Sequence, residues 1–194
     1  PSIVQRDKWR PEKQGEIFQE HLRLSRENAA GRRDDLAGVT HLVWPEAAMP
    51  FLPLERPEAL AAIGELLPEH ALLIAGALRL KHPVAAGPGG AREGFNSLMV
   101  FGPDGSLRQL YDKIHLVPFG EYVPLQGLIR GWIPFFDMPM SSFTPGSPRQ
   151  PNLQALGHEI APFICYEILY PELVALRTAG AGGLLTISTD ASFG

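Results

Sequence analysis

The chain has 194 residues, 45% of them hydrophobic and 20% charged, with 17 basic and 21 acidic side chains and a net charge of −4. These values exclude a disordered or fibrous chain and give no electrostatic reason to expect a nucleic-acid partner. The length suits one domain with a sizeable core, and a single cysteine excludes an internal disulfide framework. No stretch approaches the roughly 18 uninterrupted apolar residues of a spanning helix, and the N-terminus lacks a signal-peptide layout, so a soluble or peripheral chain is expected. It opens on Pro1 inside a predicted strand and stops at Gly194 just after another, so it is expected to be an excerpt of something longer.

Ser2-Ile3-Val4-Gln5 is the predicted opening strand. Residues 12–28 place Ile17, Phe18, His21, Leu22 and Leu24 on one side, which is helical spacing, and Gly31-Arg32-Arg33-Asp34-Asp35 ends the helix. Residues 39–44 form a short strand; Pro45 cannot continue a central ladder, so Glu46 falls just beyond its end. Pro57 opens a second helix in the usual first-turn position. Residues 71–80 read as a buried strand, and 83–94, rich in Gly and Pro, as an exposed loop. Strands over 95–101 and 107–111 make a hairpin around Gly102-Pro103-Asp104-Gly105, with Lys113 leaving at its end. The stretch 117–151 carries Pro118, Pro124, Pro134, Pro139, Pro145, Pro148 and Pro151, and is expected to be a long apolar loop. A strand over 160–164 feeds Cys165, a helix follows over 171–179, and 184–188 is a last strand. Strands alternating with helices, plus one hairpin, indicate an α/β sandwich with a mixed sheet.

Cys165 stands where the apolar run Ala161-Pro162-Phe163-Ile164 breaks into a polar elbow. A lone cysteine is ordinarily a small buried hydrophobe. Trp44-Pro45-Glu46 and Tyr111-Asp112-Lys113-Ile114-His115 also close apolar runs, so an acid, a base and a thiol at three strand ends suggest one site. Cys165 can attack a carbonyl, Glu46 can take the thiol proton, and Lys113 can stabilise the resulting oxyanion. An ammonium beside the thiolate is expected to lower its pKa. Taken alone, Glu46 and Lys113 each read as solvated surface charges.

The histidines at 21, 41, 70, 82, 115 and 158 never fall at metal-ligand spacing, so no metal is expected, and no cofactor either. His115 is expected to pack or hydrogen-bond beside Lys113. Gly87, Gly89 and Gly90 lack a following Gly-Lys-Ser/Thr, and there is no Gly-x-Ser-x-Gly elbow. The run containing Trp132, Phe135 and Phe136 reads either as a cluster pinned under the long loop or, beside Arg130, as a lipid-contacting lid.

Three ordered motifs, Trp44-Pro45-Glu46, the stretch from Tyr111-Asp112-Lys113-Ile114-His115 through Phe119-Gly120-Glu121-Tyr122-Val123-Pro124, and Ile164-Cys165-Tyr166-Glu167, resemble the carbon–nitrogen hydrolase (nitrilase) superfamily and its Glu-Lys-Cys triad. The middle motif is similar to the apolipoprotein N-acyltransferase branch. The resemblance covers nearly the whole chain, and it implies one carbon–nitrogen hydrolase domain over 1–194, an αββα sandwich incomplete at its C-terminus. It implies that Glu46 is the general base, Lys113 the stabiliser and Cys165 the acyl acceptor, with Glu121 a second acidic residue and Tyr166 and Glu167 supporting the cysteine. It further implies transfer of a fatty acyl chain from a phospholipid, through a thioester on Cys165, to the α-amine of a lipoprotein's lipidated N-terminal cysteine. The implied setting is the periplasmic face of a bacterial inner membrane, reached through a membrane-embedded helical bundle outside this sequence. One departure concerns the acyl pocket: where the branch has Asn-Asp-x-Trp-Phe-Gly, this chain has Thr189-Asp190-Ala191-Ser192-Phe193-Gly194. Two rival readings are a soluble amidase or nitrilase, in which water takes the acyl group, and a fragment without catalysis.

Overall fold

The computed structural model describes residues 11–27, 36–81, 93–117, 121, 143–155 and 157–189. The predicted opening strand, most of the two predicted loops, Trp132, Phe135, Phe136 and Ser192 lie outside the described residues. Helix α1 (Pro11–Ser25) buries Ile17, Phe18, His21 and Leu22. Leu24, expected on the same stripe, is 38% exposed; two positions past Leu22 it lies about 200° round the helix. Ser25 takes the inward place and accepts the Trp44 indole N–H at 2.9 Å.

The first sheet runs in the order β1 (His41–Val43), β2 (Leu72–Lys81), β3 (Glu93–Phe101), β4 (Leu107–Asp112). Strand β1 is parallel to β2, while β2–β3 and β3–β4 are antiparallel. The second sheet is β5 (Leu153–Ala155), β6 (His158–Ile164), β7 (Gly183–Ile187), with β5 antiparallel and β7 parallel to β6. Helix α2 (Pro57–Leu66) belongs with the first sheet and α3 (Pro171–Thr178) with the second.

Period-two alternation sorts the side chains into layers. Leu73, Ala75, Ala77, Met99 and Phe101 point to the helices and pack with Phe18, Leu22, Ala59 and Ile63. Their neighbours Ile74, Leu98, Val100 and Tyr111 point the other way and meet Leu153, Ile160, Ile164 and Ile187 of the second sheet. Beyond that sheet, Ala161 and Phe163 pack on Leu173 of α3. The layer order is therefore α–β–β–α, as expected. Each large apolar side chain fully buried between the sheets contributes roughly 1.5–3 kcal/mol, which anchors the strand ends.

Strand β5 was not anticipated: three residues are too few to display a period in a proline-rich stretch. Strand direction positions the site. Because β4 and β2 are both antiparallel to β3, β4 runs the same way as β1 and β2, and Glu46 and Lys113 leave the sheet at the same edge. Cys165 follows the end of β6 and Ser188 the end of its parallel neighbour β7.

Candidate active site

Glu46 is presented by a close approach of two backbones. The Gly76 N–H donates to the Pro45 carbonyl at 3.2 Å, and a Cβ on Gly76 would lie 2.6 Å from the Glu46 Cα. Ala47, immediately after, has a left-handed φ of 52° that turns the chain away from the strand line. The Glu46 side chain is buried at the resulting corner.

Lys113 is 1% exposed, and its backbone is held on both sides: its N–H donates to the Asn96 carbonyl at 2.9 Å and its carbonyl accepts the Gly146 N–H at 2.8 Å. A Cβ on Gly146 would run into the Asp112 carbonyl, so only glycine lets this segment lie against the β4 end. The Lys113 ammonium donates to Glu121 at 2.9 Å (Oε1) and 2.8 Å (Oε2), and to Glu46 Oε1 at 3.5 Å. Glu121 is fixed in turn by the Val117 N–H at 2.9 Å, and its own carbonyl accepts the Phe143 N–H at 2.8 Å. Asp112 faces away from this group, paired with Arg79 and accepting the Ser97 hydroxyl at 2.7 Å.

Cys165 opens a 3₁₀ turn (Cys165–Leu169) with a left-handed φ of 55°. For a residue with a side chain that conformation costs on the order of 1–3 kcal/mol. It is held by Glu167, a fully buried carboxylate that accepts the backbone N–H groups of Ile164 (2.8 Å), Ile114 (2.7 Å) and His115 (3.1 Å) and the Tyr111 hydroxyl (3.0 Å). One side chain thus ties the elbow of Cys165 to the residues directly after Lys113. The Ser188 hydroxyl lies 3.9 Å from the Cys165 sulfur, and the Tyr166 backbone N–H also bonds it.

Burial pushes the Cys165 thiol above its ordinary pKa, and the Glu46 charge adds to this; Lys113, Ser188 and Tyr166 act the other way without prevailing. The expected lowering is therefore reversed: burial and the Glu46 charge outweigh the ammonium, which two carboxylates share. Burial by itself would lower Lys113, but Glu121 and Glu46 together raise it and keep it an ammonium. Burial also raises Glu167, against the donors that surround it, and burial together with Glu167 raises Tyr111.

Of the residues singled out from sequence, Glu46, Lys113, Glu121 and Cys165 come together. Glu167 supports the cysteine through the backbone. Tyr166 contributes its N–H to the thiol, while its ring, 40% exposed, lines a cavity of about 190 Å³ with Val117, Leu169 and Tyr170. His115 stacks on Tyr170, ring centroids 4.4 Å apart, and does not bond Lys113. Asn96 was missed: its side-chain amide donates to both Glu46 and Glu121. Its signal was a lone Asn, a poor strand former, inside an apolar strand. Among the described residues no three His, Cys, Asp or Glu side chains gather as a metal site requires. The arrangement has the parts for covalent acyl chemistry: a thiol, a buried carboxylate whose charge acts on it, and an ammonium with a second carboxylate fixing its place.

Comparison with known proteins gives the class. The carbon–nitrogen hydrolase family matches residues 2–194, and the chain belongs to that family. Within it, the chain is similar to proteins named apolipoprotein N-acyltransferase. That of Pseudomonas aeruginosa (strain UCBPP-PA14) is 42% identical over 194 residues, spanning all of this chain and 35% of the relative. That of Azotobacter vinelandii is also 42% identical, with the same coverage, and that of Brucella suis biovar 1 is 35% identical over all of this chain and 36% of its own length. The chain spans about a third of the length of the curated relatives it matches. Among solved structures, the NitFhit protein of C. elegans aligns with a TM-score of 0.59 at 20% identity, over 91% of this chain and 40% of that one. A carbon–nitrogen hydrolase from Helicobacter pylori G27 aligns at 0.56 and 18%, over 90% of this chain and 55% of that one. These likenesses concern the fold.

Proposed function

We propose that this chain is the catalytic domain of an acyltransferase that moves a fatty acyl chain from a phospholipid to the N-terminal amine of a diacylglyceryl-lipoprotein, by way of a thioester on Cys165. The setting proposed is the periplasmic face of a bacterial inner membrane, with Trp132, Phe135 and Phe136 meeting the lipid. The observation that supports the reading is the buried pairing of Lys113 with Glu46 at two strand ends, with both charges acting on the Cys165 thiol that follows a third. The relatives' shared name supports the choice of donor and acceptor.

In the first half-reaction Glu46 takes the thiol proton as the sulfur attacks the ester carbonyl of the phospholipid. The negative charge passes to the carbonyl oxygen, where the Lys113 ammonium stabilises it. The carbonyl re-forms, the C–O bond breaks, and the departing lysophospholipid oxygen takes the proton from Glu46. In the second half the lipoprotein amine attacks the thioester, Glu46 accepts a proton from nitrogen, the C–S bond breaks, and the proton returns to sulfur. Dividing the transfer in this way replaces one difficult step with two easier ones. Glu121 keeps Lys113 in place and charged throughout.

The acceptor is the point on which a transferase and a hydrolase part. Acyl-loaded protein mixed with a diacylglyceryl-cysteinyl peptide should yield the N-acylated peptide faster than it releases fatty acid, as followed by mass spectrometry. Free fatty acid alone would assign the site to hydrolysis, and failure to load would leave a fragment without catalysis.

A further inference from the structure

The two carboxylates around Lys113 are not held alike. Glu121 has both oxygens within 2.9 Å of the ammonium, whereas the nearest oxygen of Glu46 stands 3.5 Å from it. What bonds Glu46 closely is the side-chain amide of Asn96: Nδ2 lies 2.9 Å from Glu46 Oε1 and 2.7 Å from Glu121 Oε1. One amide nitrogen, using its two hydrogens, bridges the same pair of oxygens that the ammonium bridges. Asn96 is itself anchored, since its backbone carbonyl receives the Lys113 N–H at 2.9 Å, and its side chain is buried.

We infer that Asn96 is a positioning residue for the reaction proposed above: it holds Glu46 by one oxygen and leaves the other to exchange protons with Cys165. The inference rests on that reading. Among the described residues no donor reaches Glu46 Oε2. A neutral donor suits this place better than the alternatives. A second cation would bind Glu46 as tightly as Lys113 binds Glu121 and weaken it as a base. An apolar side chain would leave two carboxylates facing each other with one ammonium between them, and the pair would bind a proton more readily. The charged groups around Asn96 are Glu46 from beyond β1, Lys113 from the end of β4, and Glu121; the titratable Cys165 thiol feels the charges of Glu46 and Lys113. The Arg79–Asp112 pair reaches from β2 to β4, its carboxylate bound to Ser97 and its guanidinium to the Phe95 ring, both on β3.

The test is the pH profile of thioester formation on the protein, read as the nitrophenolate burst from p-nitrophenyl butyrate, for the parent, Asn96→Ala, Asn96→Asp and Glu46→Gln. Asn96→Asp keeps the size of the side chain, so it guards against loss of fold in Asn96→Ala. The expectation is a rate about tenfold lower in Asn96→Ala, with the acidic limb moved up by roughly one pH unit, the effect of losing one hydrogen bond to a charged group. In Asn96→Asp an acceptor replaces the donor, and the limb should move further up. A merely structural role would lower the rate equally at every pH and leave the limb in place; that result in both variants, with the limb abolished in Glu46→Gln, overturns the inference and spares Glu46 as base. A limb that persists in Glu46→Gln overturns both.

Discussion

Two buried carboxylate centres stand on either side of the Lys113–Ile114 bond, and they are satisfied in opposite ways. Glu167 is surrounded by neutral donors, three backbone N–H groups and a tyrosine hydroxyl, which occupy both of its oxygens. Glu46 and Glu121 share one ammonium and one amide, and Glu46 keeps an oxygen to spare. The first arrangement is mechanical: a carboxylate with every lone pair engaged by fixed backbone holds two chain segments together. The second can act chemically, because charges that share a cation respond when a proton arrives or leaves. Burial alone therefore does not mark a catalytic acid; the identity of the donors does.

The sharpest way to break this contrast is to remove the shared cation. Lys113→Met should slow thioester formation by about 10²–10³-fold with little change in donor binding, since the oxyanion exists mainly in the transition state. It should also cost about 3–5 kcal/mol in urea unfolding, because the buried Glu46 and the partly buried Glu121 lose their shared partner. A change confined to the Michaelis constant would remove Lys113 from the chemistry.

Glu167→Gln should be milder in rate and plain in structure. The amide presents an NH₂ where N–H groups already point, at a cost of about 1–3 kcal/mol. Hydrogen exchange at Ile114, His115 and Ile164 should accelerate together. Because burial raises Glu167, its ionisation is disfavoured in the folded state, so any advantage of the parent over Glu167→Gln is full below the ordinary carboxylate range and shrinks as pH rises through the raised native value. Urea titrations of both proteins from about pH 4 to neutrality check the sign; an advantage that grows with pH would contradict it.

Gly76→Ala should cost roughly 1–3 kcal/mol, as a Cβ forces the corner of Glu46 outward. It should slow acyl transfer while sparing the amides that Glu167 protects, and equal disturbance of both centres would erase the distinction between them. The smallest effect has a revealing sign. Glu46 raises the resting Cys165 thiol, so Glu46→Gln should speed its alkylation by iodoacetamide at about pH 8 a few-fold while slowing acyl transfer. An unchanged alkylation rate would place Glu46 too far from the sulfur to act on it.

Much of this was legible in the chain. Prolines at 45, 57 and 171 and the Gly102–Gly105 turn mark boundaries by removing donors or permitting turns, and such punctuation survives tertiary packing. Apolar runs ending on Glu46, Lys113 and Cys165 located the strand ends, though only the strand directions show that Glu46 and Lys113 leave the first sheet at one edge. Glu121 entered through motif resemblance, since nothing local distinguishes a glutamate eight residues past a lysine. Asn96 and the direction of the Cys165 shift were hidden for a shared reason: both depend on burial and on charges assembled from distant parts of the chain, Glu46 and Glu121 sharing Lys113 across 75 positions, and no window of sequence contains that assembly.

The central claim is that an acyl group comes to rest on Cys165. Protein incubated with phospholipid in mixed micelles and analysed by intact mass and peptide mapping should gain one fatty acyl mass on the peptide bearing Cys165, labile to hydroxylamine and absent from Cys165→Ala of unchanged melting temperature. An adduct that persists in Cys165→Ala, or an unmodified Cys165 in protein that nevertheless transfers acyl groups, would contradict the account.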